Sequence, residues 1–492
     1  MSDSDHPTPA EAQNNNRRKF IKTLGGLGIG AGTLSALSQS IANDTEVPSR
    51  IAGARYMGDF VAARLETIKV AIIGLGSRGK GHCNHLSLID GTEVVGLCDL
   101  YEDLCKKAKE IVLKNGKGRH GAVKLYHGDE NAYKTMLLET KPDLVYVITP
   151  WKLHAPMAID AMNSGAHTCM EVPACLTIEE AWQLIDTAER TQKHCMMLEN
   201  VNYGREELLF LNMCRQGIFG ELLHAEAGYI HELRAQMHSK RGTGSWRTYE
   251  YANRNGNLYP THGLGPVAQY MNLGRGDDHF GRITSFSTPA RGRALYAGEN
   301  FPAEHKWNNI EFKGGDLSTS IIKTHLGRTI MVQWDETSPR PYTRLNLIQG
   351  TRGTGAGYPT RIALDYKKGE LPDAVFNALA GKGEDHTDYH EWAEDEKLQS
   401  VYEAWDHPLY RRMSAVANKV GGHGGMDFIM NSRVIEAIRL GQPLDQNVYE
   451  GVYWSAVAPL SEASVAADGA PQDFPDFTRG SWKNTKPLAI VS

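Results

Sequence analysis

A glycine-rich segment and one acidic residue form the first pattern that could carry chemistry. Gly74, Gly76 and Gly79 have the spacing G-x-G-x-x-G directly after an apolar run, and Asp99 follows about 20 residues later. Such glycines allow a tight turn and let the backbone approach a diphosphate at a helix N-terminus. Asp99 would accept hydrogen bonds from an adenosine ribose, and its charge would repel a 2′-phosphate. The pattern therefore predicts an NAD site and not an ordinary βα turn.

Further polar and aromatic side chains follow the later apolar runs. In a parallel α/β sheet the carboxyl ends of the strands face the ligand crevice, so these side chains are expected beside the cofactor. They lie in Thr149-Pro150-Trp151-Lys152-Leu153-His154, Glu171-Val172-Pro173-Ala174 and Glu199-Asn200. Arg78 could pair with the diphosphate. Trp151 could instead be a core aromatic residue, and Asn200 a turn residue.

The elements that must position these residues alternate between strand and helix from residue 68 onward. Apolar runs predict strands at 68–73, 93–98, 143–148, 167–172 and 195–198. Helical patterns lie between them, and one begins with a capping box at Thr177 and Glu180. This alternation predicts a doubly wound Rossmann α/β domain with a parallel sheet over residues 67–203.

The pattern changes after residue 203. A helix is expected at 206–216, long alternating strands at 222–230 and 330–334, and an amphipathic helix at 426–440 that ends at Gly441. We therefore predict a substrate-binding α/β domain over residues 204–492, built on an open, mostly antiparallel sheet. The acidic stretch 371–405 is expected to be a long surface excursion.

The first 42 residues have the order of an export signal. Arg17-Arg18-Lys19-Phe20-Ile21-Lys22 precedes an apolar, Gly-rich stretch, and Ser40 and Ala42 offer the small residues that a signal peptidase reads. The arginine pair resembles a twin-arginine signal, which predicts a periplasmic protein. The apolar stretch is short and interrupted by Gly, Ser and Thr, so no stable membrane anchor is expected. Residues 43–66 are expected to form a linker or an arm.

Composition excludes several classes of protein. The 492 residues carry a formal net charge of −5, and the chain beyond the leader has no basic block, so no nucleic-acid partner is expected. The seven cysteines include no C-x-x-C pair, which favours buried thiols that pack as small hydrophobes. No metal site is expected without ligand spacing.

Taken together, these motifs resemble the Gfo/Idh/MocA oxidoreductase family and, more closely, glycoside hydrolase family 109. The family's usual Glu-Lys-Pro is Glu171-Val172-Pro173 here, which weighs against a simple dehydrogenase because that Lys assists at the oxidised hydroxyl. The closer resemblance rests on residues 74–79, 149–151, 171–173, 199–203, 246–247, 259–266 and 421–427. It implies an α-N-acetylgalactosaminidase whose substrate is a glycan with a terminal α-N-acetylgalactosamine.

The resemblance also implies two sets of site residues. The NAD site would take Ser77, Arg78, Asp99, Trp151, Glu171, Val172 and Asn200 in addition to the three glycines. The sugar site would take Tyr229, Arg247, Tyr259, His262 and Tyr342. Each of these side chains could instead be structural: a packed strand tyrosine, a surface ion pair or a satisfied turn.

The implied mechanism keeps the redox change internal to the cycle. Sugar C3 is oxidised transiently with bound NAD, the C1–O bond breaks by elimination, water adds, and C3 is reduced again. His262 suits the first base because imidazole titrates near neutral pH. Tyr229 or Tyr259 could act at C2 if positive neighbours or hydrogen bonds lower its pKa. Arg247 could bind sugar hydroxyls and stabilise an enolate.

Two other functions remain open at this point. One is an NAD-dependent periplasmic sugar or polyol dehydrogenase with net NADH output, and the other is a non-catalytic NAD- or sugar-binding protein. Direct hydrolysis would need two opposed carboxylates, and the sequence does not single out such a pair. Family precedent also implies a homo-oligomer formed through the sheet of the second domain.

Overall fold

The computed structural model describes residues 47–383 and 385–491. The predicted signal peptide, residues 1–42, and the first part of the predicted linker lie outside the described residues. The described residues from Ser49 onward fold as one unit. In the part of the chain that is described, no helix is long and apolar enough to cross a membrane.

Six parallel strands form the first sheet in the order β3-β2-β1-β4-β5-β6. Except for the edge strand, Lys124–Tyr126, the strands are largely buried, so helices can cover both faces of the sheet, as a doubly wound fold requires. The strands are β1 (Ile68–Ile73), β2 (Thr92–Cys98), β3 (Lys124–Tyr126), β4 (Leu144–Val147), β5 (His167–Met170) and β6 (Cys195–Met197). The Rossmann fold predicted from the sequence is thus confirmed, with the short edge strand β3 as an addition.

Five helices connect these strands. They are α1 (Ser77–Leu88), α2 (Glu102–Gly116), α3 (Ala132–Thr140), α4 (His154–Asn163) and α5 (Ile178–Thr191). At the start of α5 the Thr177 hydroxyl accepts from the Glu180 N–H at 3.1 Å. The Glu180 carboxylate accepts from the Leu176 N–H at 2.7 Å and not from Thr177, so only half of the predicted capping box forms.

A mixed sheet of eight strands forms the second layer, in the order β13-β12-β11-β7-β10-β9-β8-β14. Only β7 and β10 pair in parallel, so the predicted open, mostly antiparallel sheet is confirmed. The strands are β7 (Leu222–Ile230), β8 (Phe280–Ser287), β9 (Leu317–Thr324), β10 (Thr329–Asp335), β11 (Leu347–Gly350), β12 (Gly353–Ala356), β13 (Arg361–Leu364) and β14 (Gln472–Asp473).

Nine α-helices follow residue 203 in the part of the chain that the structure describes. They are α6 (Arg205–Arg215), α7 (Thr243–Asn253), α8 (Thr261–Tyr270), α9 (Gly292–Asn300), α10 (Asp373–Leu379), α11 (Gln399–Trp405), α12 (Pro408–Val420), α13 (Met426–Leu440) and α14 (Val448–Ala466). Helix α14 packs against β8 as well as against α5 and β6, and α13 packs against α1. The two sheets therefore share one continuous hydrophobic core.

Two less regular segments, the acidic stretch and the N-terminal segment, both contact the folded core. The expected surface excursion 371–405 is wrong at its two ends, because Val375, Phe376 and Leu379 of α10 and Trp405 of α11 are buried in the core, whereas most of the described residues between 381 and 397 are exposed. Within the predicted linker, the described residues from Ser49 pack on the fold: Arg50 forms an ion pair with Glu189 at 3.0 Å. The described part of this segment contacts both domains, since the Met57 N–H donates to the Tyr449 hydroxyl at 3.1 Å.

Candidate functional site

The three loop glycines have distinct steric environments. A Cβ at Gly74 would lie 2.3 Å from the Ile148 carbonyl oxygen, and one at Gly79 would lie 2.0 Å from the Gly74 oxygen. A Cβ at Gly76 would meet no described atom within 4 Å. Helix α1 begins at exposed Ser77, and no described side chain caps it. The loop thus offers open space and unpaired N–H groups to an anion, which fits a dinucleotide diphosphate.

Asp99 lies beside this loop at the carboxyl end of β2. Its carboxylate accepts from the N–H groups of Leu75 at 2.7 Å and Tyr101 at 3.0 Å. The side chain is half-buried, and its position is the one that a ribose ligand requires in this fold. Contact with a ribose stays a prediction.

Arg78 and Glu171 form an ion pair above the carboxyl ends of β1 and β5. The guanidinium lies 2.7 Å from Glu171 Oε1, and His82 Nε2 lies 3.1 Å from the same oxygen. Burial alone would raise the pKa of Glu171, but the charge of Arg78 and the hydrogen bond from His82 outweigh it and hold the pKa below its usual range. Glu171 is therefore ionised. The adjacent Val172 is buried.

Asp427 is a site residue for which the sequence analysis gave no role. Its carboxylate accepts from Arg78 at 2.7 Å and from the Asn200 side-chain amide at 2.7 Å, and His423 Nδ1 lies 2.8 Å from it. The sequence could have indicated this residue. Helix α13 begins directly after Gly-Gly-His-Gly-Gly, and Asp427 is its second residue. Arg78 is thus already engaged by two carboxylates, and its role toward a diphosphate stays a prediction.

Trp151 and His154 lie just beyond β4 but face different surroundings. Trp151 is 2% exposed, and its ring lies 5.3 Å from Trp246 and 5.7 Å from Tyr259. His154 is buried, with Nδ1 2.7 Å from the Pro173 oxygen and Nε2 2.7 Å from the Thr149 oxygen. His154 thus ties together the ends of β4 and β5, and this is a structural role. Direct contact of His154 with the cofactor stays a prediction.

Three predicted sugar-site residues meet in one aromatic cluster. The Tyr229 ring lies 4.7 Å from Tyr259 and 5.1 Å from His262, and the last two rings are 4.9 Å apart. Tyr229 stands near the end of β7, whereas Tyr259 and His262 flank the start of α8. Since Trp151 contacts Tyr259, the cluster adjoins the cofactor side of the first sheet.

A buried carboxylate orients the histidine of this cluster. Glu199 Oε1 lies 2.6 Å from His262 Nδ1, and Glu199 is fully buried. Its other oxygen, Oε2, has no hydrogen-bond partner in the described part of the chain. This contact fixes Nδ1 as the protonated nitrogen and leaves Nε2 to exchange a proton. The sequence placed Glu199 beside the cofactor but did not reveal this pairing.

Arg247 lies over the aromatic rings at the junction of the two sites. Its guanidinium carbon is 4.9 Å from the Trp151 ring centre and 5.0 Å from that of Tyr259. Glu336, which is fully buried, lies 3.8 Å from Arg247 and accepts a hydrogen bond from the Tyr251 hydroxyl. Glu336 thereby opposes the charge of Arg247, whose buried Nε has no hydrogen-bond partner among the described residues.

Tyr342 borders the cluster from the solvent side. It is 41% exposed, and its ring lies 6.3 Å from Tyr229 and 4.9 Å from His231. Arg344 donates to its hydroxyl at 2.8 Å. His231, which the sequence analysis missed, has Nδ1 3.0 Å from the Tyr229 hydroxyl. Residues two apart in an extended chain share a face, so the spacing from Tyr229 could have indicated it.

The two buried tyrosines retain their protons in this site. Burial raises the pKa of Tyr229 well above its usual value, and burial also raises the pKa of Tyr259, although the charge of Arg247 opposes both shifts. Neither tyrosine has the lowered pKa that a free phenolate base would need. A proton removed by Tyr229 or Tyr259 requires an acceptor for the phenol's own proton.

The sequence as a whole matches two family models. Residues 203–484 match a model described as "Glycosyl hydrolase 109, C-terminal domain". Residues 68–199 match one described as "Oxidoreductase family, NAD-binding Rossmann fold". The NAD-binding domain predicted from the glycine loop is thus confirmed.

Several relatives match this chain over almost its entire length. The chain is 54% identical to "Glycosyl hydrolase family 109 protein 1" of Akkermansia muciniphila, over 96% of this chain and 98% of that one. It is 49% identical to "Alpha-N-acetylgalactosaminidase" of Shewanella oneidensis, over 97% of this chain and 99% of that one.

Solved structures show the same fold at low sequence identity. An oxidoreductase domain protein from Kribbella flavida has a TM-score of 0.60 at 16% identity and covers 84% of this chain and 100% of its own. Levoglucosan dehydrogenase in complex with NADH and levoglucosan has a TM-score of 0.59 at 17% identity and covers 83% of this chain and 100% of its own.

Proposed function

Because the chain belongs to glycosyl hydrolase family 109, we propose that it is an α-N-acetylgalactosaminidase that uses bound NAD to oxidise and then re-reduce sugar C3 within each turnover. The sugar is taken from the name of the Shewanella oneidensis relative. The observation that carries the proposal is the contact between the two sites. Trp151, at the end of a Rossmann strand, lies against Tyr259 of the Tyr229–Tyr259–His262 cluster.

The carboxylates near this cluster favour a redox route over direct hydrolysis. Direct hydrolysis needs one carboxylic acid and one free carboxylate on opposite sides of the glycosidic bond. Here Glu171 pairs with Arg78, Glu199 with His262, and Glu336 contacts Arg247 and Tyr251. Bound NAD would instead supply a reversible hydride acceptor, held by the glycine loop, Asp99 and Asn200.

We propose that His262 removes the proton from the sugar O3 hydroxyl. Glu199 holds Nδ1 and leaves Nε2 to take the hydroxyl proton as C3 is oxidised. The resulting imidazolium would lie 2.6 Å from the Glu199 carboxylate, which stabilises it in a buried site. The same proton returns to O3 when C3 is reduced.

For the proton at C2 we propose a two-residue relay. The Tyr229 hydroxyl is protonated, and His231 Nδ1 lies 3.0 Å away. Burial lowers the pKa of His231 below its usual value, so the ring is neutral near pH 7 and can accept a proton. Tyr229 would take the C2 proton while passing its own to His231, and Arg247 would stabilise the negative charge that develops on the sugar.

Export and assembly complete the proposal. We propose that the twin-arginine leader carries the folded, NAD-loaded protein to the periplasm, since that route transports folded proteins. We also propose a homo-oligomer through the open face of the second sheet, where Ile321 of β9 and Phe286 of β8 are exposed. Light scattering on the purified protein checks the assembly, and substitution of Ile321 by Glu should lower the mass.

The test of function uses the purified protein with no added cofactor. An aryl α-N-acetylgalactosaminide should release its aryl group without accumulation of NADH, and C2 should exchange its hydrogen with heavy water. Accumulation of NADH with a free sugar and no aryl release would identify a dehydrogenase. Neither aryl release nor NADH would identify a binding protein, and either result would refute the proposal.

A further inference from the structure

Asp427 bridges the strand ends at which Rossmann domains bind dinucleotides. Arg78 follows β1 and Asn200 follows β6, and both donate to the Asp427 carboxylate at 2.7 Å. Asp427 belongs to α13 of the second domain and is 4% exposed. The carboxylate therefore spans the mouth of the cofactor crevice from the opposite domain.

A tight glycine bend delivers Asp427 to this position. All five residues from Gly421 to Gly425 have positive φ, between 46° and 94°. A Cβ at Gly422 would lie 2.7 Å from His85 Cε1 and 3.0 Å from the Asp427 Cβ. His423 Nδ1 lies 2.8 Å from Asp427 Oδ2 and 3.1 Å from Arg78. A larger residue at Gly422 would therefore press on His85 and Asp427, and positive φ disfavours any replacement of the glycines in this bend.

The carboxylate is held as an anion. Burial alone would raise the pKa of Asp427, but the hydrogen bond from His423 and the charge of Arg78 outweigh burial and hold the pKa well below its usual range. An ionised, buried carboxylate with two donors of the other domain forms strong, charge-assisted hydrogen bonds. The two domains are thereby fastened at this point.

We propose that residues 421–427 form a clasp that retains NAD between turnovers, with Asp427 as the positioning residue that acts through Arg78 and Asn200. A dinucleotide bound at these strand ends would leave more slowly while the contacts of Asp427 with both side chains are intact. Slow release suits a cofactor that returns to its starting state each cycle. The proposal rests on the NAD-binding fold and not on the sugar specificity.

The test compares two acid-to-amide variants of the same helix. Asp427→Asn removes the charge of the clasp, whereas Glu436→Gln, the matched control, weakens the ion pairs of Glu436 with Arg412 and Arg433 outside the cofactor site. NAD content is measured after acid extraction. Release is measured as the loss of bound-NADH fluorescence after excess NAD is added as a competitor. Loss of charge-assisted hydrogen bonds should make release about ten- to a hundredfold faster in D427N.

Several outcomes decide the matter. We expect folded D427N to purify with less NAD and to regain turnover in excess NAD, while E436Q behaves as the wild type. Wild-type release in folded D427N would overturn the proposal. If D427N does not fold, His423→Ala, whose side chain is 57% exposed, should still release NAD faster. Unchanged release in H423A would then overturn it. If the variants change NAD release but neither they nor the wild type has glycosidase activity, only the proposed function is refuted.

Discussion

The Glu199–His262 pair is where a single side chain should matter most for turnover. Substituting His262 by Ala should lower kcat by about 10²–10⁴, the usual contribution of general acid–base catalysis, and leave NAD content unchanged. Glu199→Gln should lower kcat by about 10²–10³, because the imidazolium loses its 2.6 Å carboxylate. Steady-state kinetics with an aryl glycoside checks both. The control substitution is His224→Ala. His224 lies on β7, and its Nδ1 is hydrogen-bonded to the Thr329 hydroxyl.

The Tyr229–His231 contact predicts an effect on one step only. His231→Gln removes the proton acceptor, so C2–H cleavage should slow by about 10²-fold while oxidation at C3 is spared. A substrate with deuterium at C2 should therefore show a larger kinetic isotope effect in the variant than in the wild type. Equal isotope effects in the two proteins would remove His231 from the relay.

At the level of the element, the loop between β1 and α1 predicts opposite behaviour for two glycines. A methyl group at Gly76 meets no described atom within 4 Å, so Gly76→Ala should fold normally but bind NAD at least about tenfold more weakly, because the methyl group fills the diphosphate space. Gly79→Ala would press on the Gly74 oxygen at 2.0 Å and should lose stability itself. Thermal melting with and without NAD separates the two. A G76A protein with wild-type NAD affinity would contradict this view of the loop.

Elements whose residues interact locally could be predicted from the sequence, and long-range pairs could not. Helix α13 ends at Gly441 in the left-handed conformation, as the 426–440 pattern predicted, because periodicity and a C-terminal glycine act within one helix. The Glu199–His262 pair joins residues 63 apart, and Arg78–Asp427 joins residues 349 apart. Such contacts follow from the packing of α8 and α13 against the Rossmann domain, which no local pattern encodes.

The expectation of a surface excursion over 371–405 is wrong for its first helix, α10. Its acidic composition favoured a surface loop, yet Val375, Phe376 and Leu379 lie one helical turn or less apart and are buried together. Average polarity concealed a short amphipathic helix. Spacing of apolar residues is the better guide in such a segment, because burial depends on which face they share and not on how many charges surround them.

At the scale of the whole molecule, buried histidines should make the fold sensitive to acid. His167 and His194 are both buried, and their rings lie 5.0 Å apart. Burial lowers the pKa of His167 to about 4, and burial together with the neighbouring His167 lowers the pKa of His194 to about 3. The unfolded chain, with pKa values near 6.5, then binds more protons than the native one.

The free energy of unfolding should therefore fall as the pH drops from about 6.5 toward 4, by up to about 1.4 kcal/mol per pH unit for each histidine, and should level off above that range. Urea unfolding across this range measures the slope. His194→Phe should flatten it by about one histidine's share, because the buried Nε2 of His194 has no hydrogen-bond partner among the described residues and the ring contacts are kept. The same change at exposed His390 should leave the slope as it is. If H194F retained the wild-type slope, the acid sensitivity would have to come from other buried groups.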